Sequence, residues 1–471
     1  MSADLFTASA TDVLRRFHSR ELSPVEYLGA LIARIEAVGA DVNALGDTYF
    51  EEAVEQARRA EETYMSANAT PRPLEGLPLA IKDESEIAGK RTTNGSLIWQ
   101  DYVSSANDPI VERVLDAGAI VHARTLTPEF SIAFWTHTRL WGVTRNPWNR
   151  GFDVGGSSGG SAAALAAGFT PLATGSDIGG SVRVPASCCG VVGFIGPYGR
   201  IPVAAPYNLD HWCNMGPLAR SVGDCALLAD VVSGLHPRDH ATLRESVVLG
   251  TPTPDVRGLR LAVSYDLGDW PVTTEVRTAL ADVVETLRRA GAIVEEVDLV
   301  VERELVRIAS DAHHAILFGR DCARSVVGHE ADVNPVTLAW LASLEEPPDP
   351  LDGLAAEVEI MARVAAVHER YDAILCPVIS MPAFPAGVDY TVEPFVLAGV
   401  ELDTFHDVCP AEIFNVTSRC PVLAVPAGRG AEGVPIGVEI VGRPFDDHTV
   451  FRIGAAIELV QPWPLVAALG S

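Results

Sequence analysis

The chain has 471 residues, 48% hydrophobic and 21% charged, the balance of a globular protein long enough to bury a large core. Its net charge of −27 at pH 7 excludes the basic footprint that nucleic acid requires and opposes docking on an anionic membrane surface.

Taken in chain order, Ser23-Pro24 followed by Val25-Glu26 predicts a helix start, with Leu28, Leu31, Ile32 and Ile35 on one face. Residues 51–65 read as a second, polar helix. Leu77–Ile81 reads as a short buried strand ending at Lys82, Val111–Ala117 as helix and Ala119–Ala123 as the next strand. Residues 162–167 form an Ala-rich, helix-like segment between two Gly/Ser turns. Residues 236–254 and 345–350 are proline-bearing and polar, and read as loops. Leu259–Ser264, Thr274–Ala290 and Ala292–Leu299 predict a βαβ unit, and Ala373–Cys376 and Ile436–Val441 are further strands. Strands alternating with helices imply an α/β sheet covered on both faces.

The eight cysteines include no C-x-x-C pair, which speaks against zinc. Residues 1–11 lack the basic start and apolar run of a secretory signal, and no uncharged apolar run reaches the length of a membrane span. Reduced thiols in a cytoplasmic protein are the expectation. Of the 35 basic residues only Lys82 and Lys90 are lysines. Arginine stays protonated, so these two are the only candidates for a lysine base. Lys90, between Gly89 and Arg91, reads as a solvated loop residue.

The turns themselves carry the chemistry. Gly155-Gly156-Ser157-Ser158-Gly159-Gly160-Ser161 and Gly175-Ser176-Asp177-Ile178-Gly179-Gly180-Ser181 flank the Ala-rich segment. Glycine turns let successive N–H groups converge on an anion and leave hydroxyls exposed, which suits a serine nucleophile beside an oxyanion hole. A flexible linker would lack the apolar flanks present here. Gly155–Gly159 also fits G-x-S-x-G, but the preceding stretch is polar and contains Pro147, so the strand that a nucleophile elbow needs is missing. Neighbours on a helix do not share a face, so His313-His314 reads as surface or core packing rather than as a ligand pair.

This ordered set, with Gly76-Leu77-Pro78-Leu79-Ala80-Ile81-Lys82-Asp83 upstream and Val441-Gly442-Arg443-Pro444-Phe445 near the end, resembles the amidase signature family. The resemblance covers about residues 20–460. It implies an α/β amidase-signature fold, a central mixed β-sheet with helices on both faces, in one domain. That domain divides into an N-terminal helical part (about 1–65), a signature core (about 66–235), a variable substrate-facing part (about 236–370) and a C-terminal return (about 371–471). It also implies hydrolysis of amides, esters or carbamates by a Ser–cis-Ser–Lys triad without a metal or other cofactor. Ser181 would be the nucleophile, Ser157 the bridging serine after a cis Gly156–Ser157 peptide, and Lys82 the base. The oxyanion hole would be the N–H groups of Ile178, Gly179, Gly180 and Ser181, with Ser158, Asp177 and Arg183 as supports and Ser131 near the substrate. A lysine freed of its proton by burial can replace the usual histidine, and a serine hydroxyl can relay a proton because it both donates and accepts.

The expected activity is hydrolysis of a small amide, with Phe134, Trp135, Trp141 and Trp212 hinting at an aryl or apolar substrate. The alternatives are a glutamine-hydrolysing subunit of an amidotransferase complex, an esterase or carbamate hydrolase of the same family, and a binding protein that kept the fold. The partner would be a small molecule and not nucleic acid or membrane, with a second copy of the chain as a candidate neighbour. Asp210 to Met215 departs from the shorter segment typical of the glutamine-hydrolysing component of glutamyl-tRNA amidotransferase, which argues mildly against the glutamine reading.

Overall fold

Ser23 Oγ accepts a hydrogen bond from Val25 N at 3.0 Å, and Glu26 receives one from Ser23 N at 3.1 Å. With Pro24 in the first turn, this capping box starts the predicted helix, which runs Pro24–Val42. The computed structural model describes residues 5–388, 390–391 and 395–469.

Eleven strands form one sheet among the described residues. They are β1 (Leu45–Thr48), β2 (Pro78–Lys82), β3 (Ile120–Thr125), β4 (Leu172–Asp177), β5 (Val192–Ile195) and β6 (Asn214–Ala219), followed by β7 (Arg260–Val263), β8 (Ile293–Glu296), β9 (Ala373–Pro377), β10 (Val422–Arg429) and β11 (Pro435–Gly442). The spatial order is β1-β3-β2-β4-β6-β5-β10-β11-β9-β7-β8. β3, β2 and β4 run parallel, as do β9, β7 and β8. The pairs between these two groups are antiparallel. The sheet is therefore mixed, as the resemblance implied, and fourteen α-helices surround it among the described residues.

The βαβ unit is present: Ile293 pairs with Arg260 in parallel register across the helix Thr274–Arg289. Residues 236–254 and 345–349 are irregular, as read. The intervening stretch, for which the sequence offered no motif beyond the βαβ unit, also holds helices Arg303–His314, Phe318–Val326 and Pro335–Ser343, and the helix Pro350–His368 follows the second loop.

The sequence missed β1, β4, β5, β6 and β10. β4 carries Gly175 and β6 carries Gly216-Pro217, residues that read as turn signals. In a strand, glycine marks a close approach of backbone. At Gly216 a Cβ would sit 2.4 Å from the carbonyl oxygen of Phe194 on β5, so only glycine lets β6 and β5 meet there.

Candidate active site

Lys82 ends β2 and Asp177 ends β4, and these strands are parallel neighbours. Their carboxyl ends therefore open on the same side of the sheet, where α/β proteins gather their functional loops. The loop after β3 contributes Ser131, and the turn before the helix Gly159–Ala167 contributes Ser157 and Ser158.

Lys82 is fully buried, and three groups surround its side-chain nitrogen. Nζ lies 2.7 Å from Ser157 Oγ, 2.8 Å from Ser176 Oγ and 3.1 Å from Glu84 Oε2. Burial pushes the Lys82 pKa below the usual lysine value, against the opposing pull of Glu84. Burial alone would raise Glu84, but Lys82 and hydrogen bonds from Ser131 and Ser176 hold it below the ordinary carboxylate value.

The Gly156–Ser157 peptide is cis, as the resemblance implied. A Cβ at Gly156 would fall 2.4 Å from the carbonyl oxygen of Ala133, so the turn fits only glycine. Ser158 ties the two Gly/Ser turns together: its N–H donates to the Ser181 carbonyl at 3.0 Å, and its Oγ accepts from Ser176 N at 3.3 Å.

The Asp177 carboxylate organises the second turn. It accepts from Gly180 N at 2.8 Å, Val182 N at 2.9 Å, Arg183 Nε at 3.0 Å and Nη2 at 2.9 Å, and Asn415 Nδ2 at 2.9 Å. Burial would raise its pKa, but Arg183 outweighs that and lowers it. Arg183 also pairs with buried Glu439 at 2.9 Å, and burial pushes the Glu439 carboxyl up to about 8.

The four N–H groups that the resemblance offered as oxyanion donors differ in what they already bind. The Gly180 N–H points to Asp177 and is not free for an oxyanion. The backbone N–H groups of Ile178, Gly179 and Ser181 make no hydrogen bond within the described residues.

Ser157, Ser176, Ile178 and Ser181 line a cavity of about 150 Å³ together with Glu84 and Ser131. Ser131 Oγ donates to Glu84 Oε2 at 2.7 Å. Asn94, Asp108, Tyr207 and Phe318 complete much of the wall. None of Phe134, Trp135, Trp141 and Trp212 lines it. Phe134 and Trp135 pack edge-on against Phe405, and Trp212 stacks on His313 at 4.1 Å. Phe134, Trp135 and Trp212 are buried in the core, whereas Trp141 is half-buried outside it.

Sequence reasoning missed Glu84 and Ser176 as neighbours of the lysine. Period-2 alternation along β4 puts Thr174 and Ser176 on the same face, and Thr174 Oγ1 accepts from Lys82 N at 3.3 Å. That alternation was the available signal. Lys90, by contrast, pairs with Glu52, away from the site.

His313 is neither a surface residue nor simple packing. Its Nε2 lies 2.7 Å from Asp210 Oδ1 and its Nδ1 3.5 Å from Glu357 Oε1. Burial would lower its pKa, but hydrogen bonds to the two carboxylates raise it to about 9. Asp210, His211 and His313 bring one ligand-type atom each within 4.8 Å of one another. Both His313 ring nitrogens already face carboxylates, so an imidazolium satisfies this cluster.

A family model described as Amidase matches residues 26–340 and 349–451. The A subunit of the glutamyl-tRNA(Gln) amidotransferase of Geobacter metallireducens is 32% identical, with 98% of each chain covered. Among solved structures, a bacterial aryl acylamidase of the amidase signature family superposes with a TM-score of 0.90 at 26% identity, covering 97% of both chains. The corresponding amidotransferase component of Thermotoga maritima superposes with a TM-score of 0.76 at 26% identity, covering 99% of both chains. The signature turns, the mixed sheet that presents them and these matches over nearly the whole length agree: this chain belongs to the amidase family.

Proposed function

We propose that the protein hydrolyses small amides through an acyl-enzyme on Ser181, with Ser157 as proton relay and Lys82 as base. The 2.7 Å contact between Lys82 Nζ and Ser157 Oγ carries this reading. A neutral amine has two N–H bonds and one lone pair. Facing Ser176, Glu84 and Ser157, it donates to the first two and accepts the Ser157 proton. Burial supports the neutral form by lowering the lysine pKa.

Ser157 passes its proton to Lys82 as it takes the proton of Ser181. The Ser181 oxygen then bonds to the amide carbon, and the C=O electron pair moves onto oxygen, stabilised by the N–H groups of Ile178, Gly179 and Ser181. Collapse breaks the C–N bond, and the leaving nitrogen takes its proton back through Ser157. Water repeats the sequence in place of Ser181 and releases the acid. Asp177 and Arg183 hold the turn that aims the donors, and Ser131 meets the substrate beside Glu84.

The sequence relatives favour a second reading, a glutamine-hydrolysing subunit that works with partner subunits. The cavity favours the first, because among the described residues no Arg, Lys or His lines it to receive the α-carboxylate of glutamine. A purified chain tested on simple aliphatic and aryl amides, esters, carbamates and glutamine separates the two. Turnover of simple amides, with a fluorophosphonate labelling wild-type protein but not Ser181→Ala, is the expected result. Glutaminase activity that appears only with partner subunits would favour the second reading. Labelling that persists in Ser181→Ala would move the nucleophile elsewhere.

A further inference from the structure

We infer that the cavity lined by Ser157 and Ser181 is a subsite for a positively charged group, and that Glu84 and Asp108 select amides bearing an ammonium over neutral or carboxylate-bearing isosteres. The inference rests on the hydrolytic reading above and names the substrate class for that same site.

Three carboxylates line the cavity: Glu84, Asp108 and Asp177. Asp177 is spoken for, since Arg183, Asn415 and backbone N–H groups fill its acceptor positions. Asp108 Oδ2 accepts from Glu86 N at 2.9 Å, and among the described residues no basic side chain pairs with this carboxylate. Lys82 and Ser131 both approach Glu84 at Oε2, while its buried Oε1 has no hydrogen-bond partner among the described residues. An acceptor left unsatisfied out of water is a cost that a donor from a ligand removes.

The charge balance points the same way. Lys82 is the cation that offsets Glu84, and it lies fully buried behind the wall. When Lys82 is neutral, as its role as base requires, the Glu84 charge has no counter-ion. The cavity is then negative in the state that reacts, and a substrate ammonium supplies the missing charge. A carboxylate placed there would meet like charges and no guanidinium. The volume of about 150 Å³ limits the bound group to benzene scale, since an engineered cavity of about that size accepts benzene.

The test compares 3-aminopropanamide, butanamide and succinamate, which are near-isosteric and carry a cation, no charge and an anion. Ammonia release gives kcat/KM for wild type, Glu84→Gln and Asp108→Asn. Wild type should prefer 3-aminopropanamide over butanamide by about tenfold or more, the scale on which complementary charge discriminates ligands, with succinamate slowest. The preference should collapse towards unity in Glu84→Gln and shrink in Asp108→Asn. Glu84→Gln also alters the surroundings of Lys82, so the ratio between substrates is read, not the absolute rate. A second measurement needs no turnover: n-butylammonium should protect Ser181 from a fluorophosphonate, and butyrate should not. A wild-type ratio at or below one, a ratio that both variants leave unchanged, or better protection by butyrate would overturn the inference while leaving amide hydrolysis intact. Failure of Ser181 to label and of every amide to react would instead sink the hydrolytic reading.

Discussion

Replacing Lys82 separates what the lysine does for stability from what it does for chemistry. At a pH where the wild-type lysine is protonated, Lys82→Met leaves Glu84 in place without its counter-ion. At 3.1 Å and an effective dielectric of about 20, the lost attraction is about 5 kcal/mol. Breaking a buried pair from one side typically destabilises by about 3–5 kcal/mol, because the remaining charge is left uncompensated. Unfolding entropy of about 2.1 cal/mol/K per residue over 471 residues is roughly 1 kcal/mol per degree, so Tm should fall by about 3–5 °C. Lys82→Met combined with Glu84→Gln removes both charges and should recover most of that loss. It should recover none of the activity. General-base catalysis contributes about 10²–10⁴-fold, and the double variant should show a kcat/KM loss of at least that size. Lys82→Arg keeps the positive charge but cannot deprotonate, and should be as inactive. In wild type, kcat/KM should rise with pH through a lysine pKa below the usual 10.5, because only the neutral amine accepts the proton. The assay is amide turnover against pH, beside thermal melts at one scan rate. A folded Lys82→Arg enzyme with near-normal turnover would refute the relay.

Two further outcomes follow from neighbouring groups. Asp177→Asn removes the charge opposite Arg183 and loosens the turn that holds Gly180; kcat should fall by about 10²–10³, the scale of losing an oxyanion donor, with KM little changed, and steady-state kinetics will show whether it does. His313, raised from 6.5 to about 9 in the folded chain, adds stability on the order of 3 kcal/mol. That contribution is complete below the unfolded pKa of about 6.5 and disappears as pH rises through about 9. Denaturant melts of His313→Gln should therefore lie well below wild type at pH 6 and converge on it near pH 9.5, and a constant gap across that range would argue against the imidazolium.

The motif-bearing parts of the fold were legible in the sequence. The capping box at Ser23, the apolar strand ending at Lys82 and the βαβ unit around Thr274–Arg289 each have a local cause that single residues reveal. β4 and β6 were not legible, because their glycines serve contacts with distant segments and look locally like turns. In the site, Lys82 contacts Ser157, and Ser157, Ser181 and Ser131 line one cavity. The assignment of Gly180 failed because its N–H has a nearer acceptor in Asp177, and a run of glycines does not say which carbonyl or carboxylate each N–H meets. Glu84 stayed hidden for a related reason. Nothing local distinguishes it from the other acidic residues nearby, and its role depends on where β4 places Ser176 and where the loop after β3 places Ser131.

Arg183 sits between Asp177 from the first half of the chain and three partners from the last quarter, the Ala411 carbonyl, Asn415 and Glu439. β10 and β11 likewise lie in the middle of the sheet, between β5 and β9. During synthesis, Lys82, Ser157 and Ser181 leave the ribosome long before the segments that brace them. A nascent chain stopped before residue 411 lacks the late acceptors for Arg183 and has an open sheet edge at β5. A chain that already carries every residue of the signature therefore lacks the bracing of its second turn until nearly the whole protein has been made.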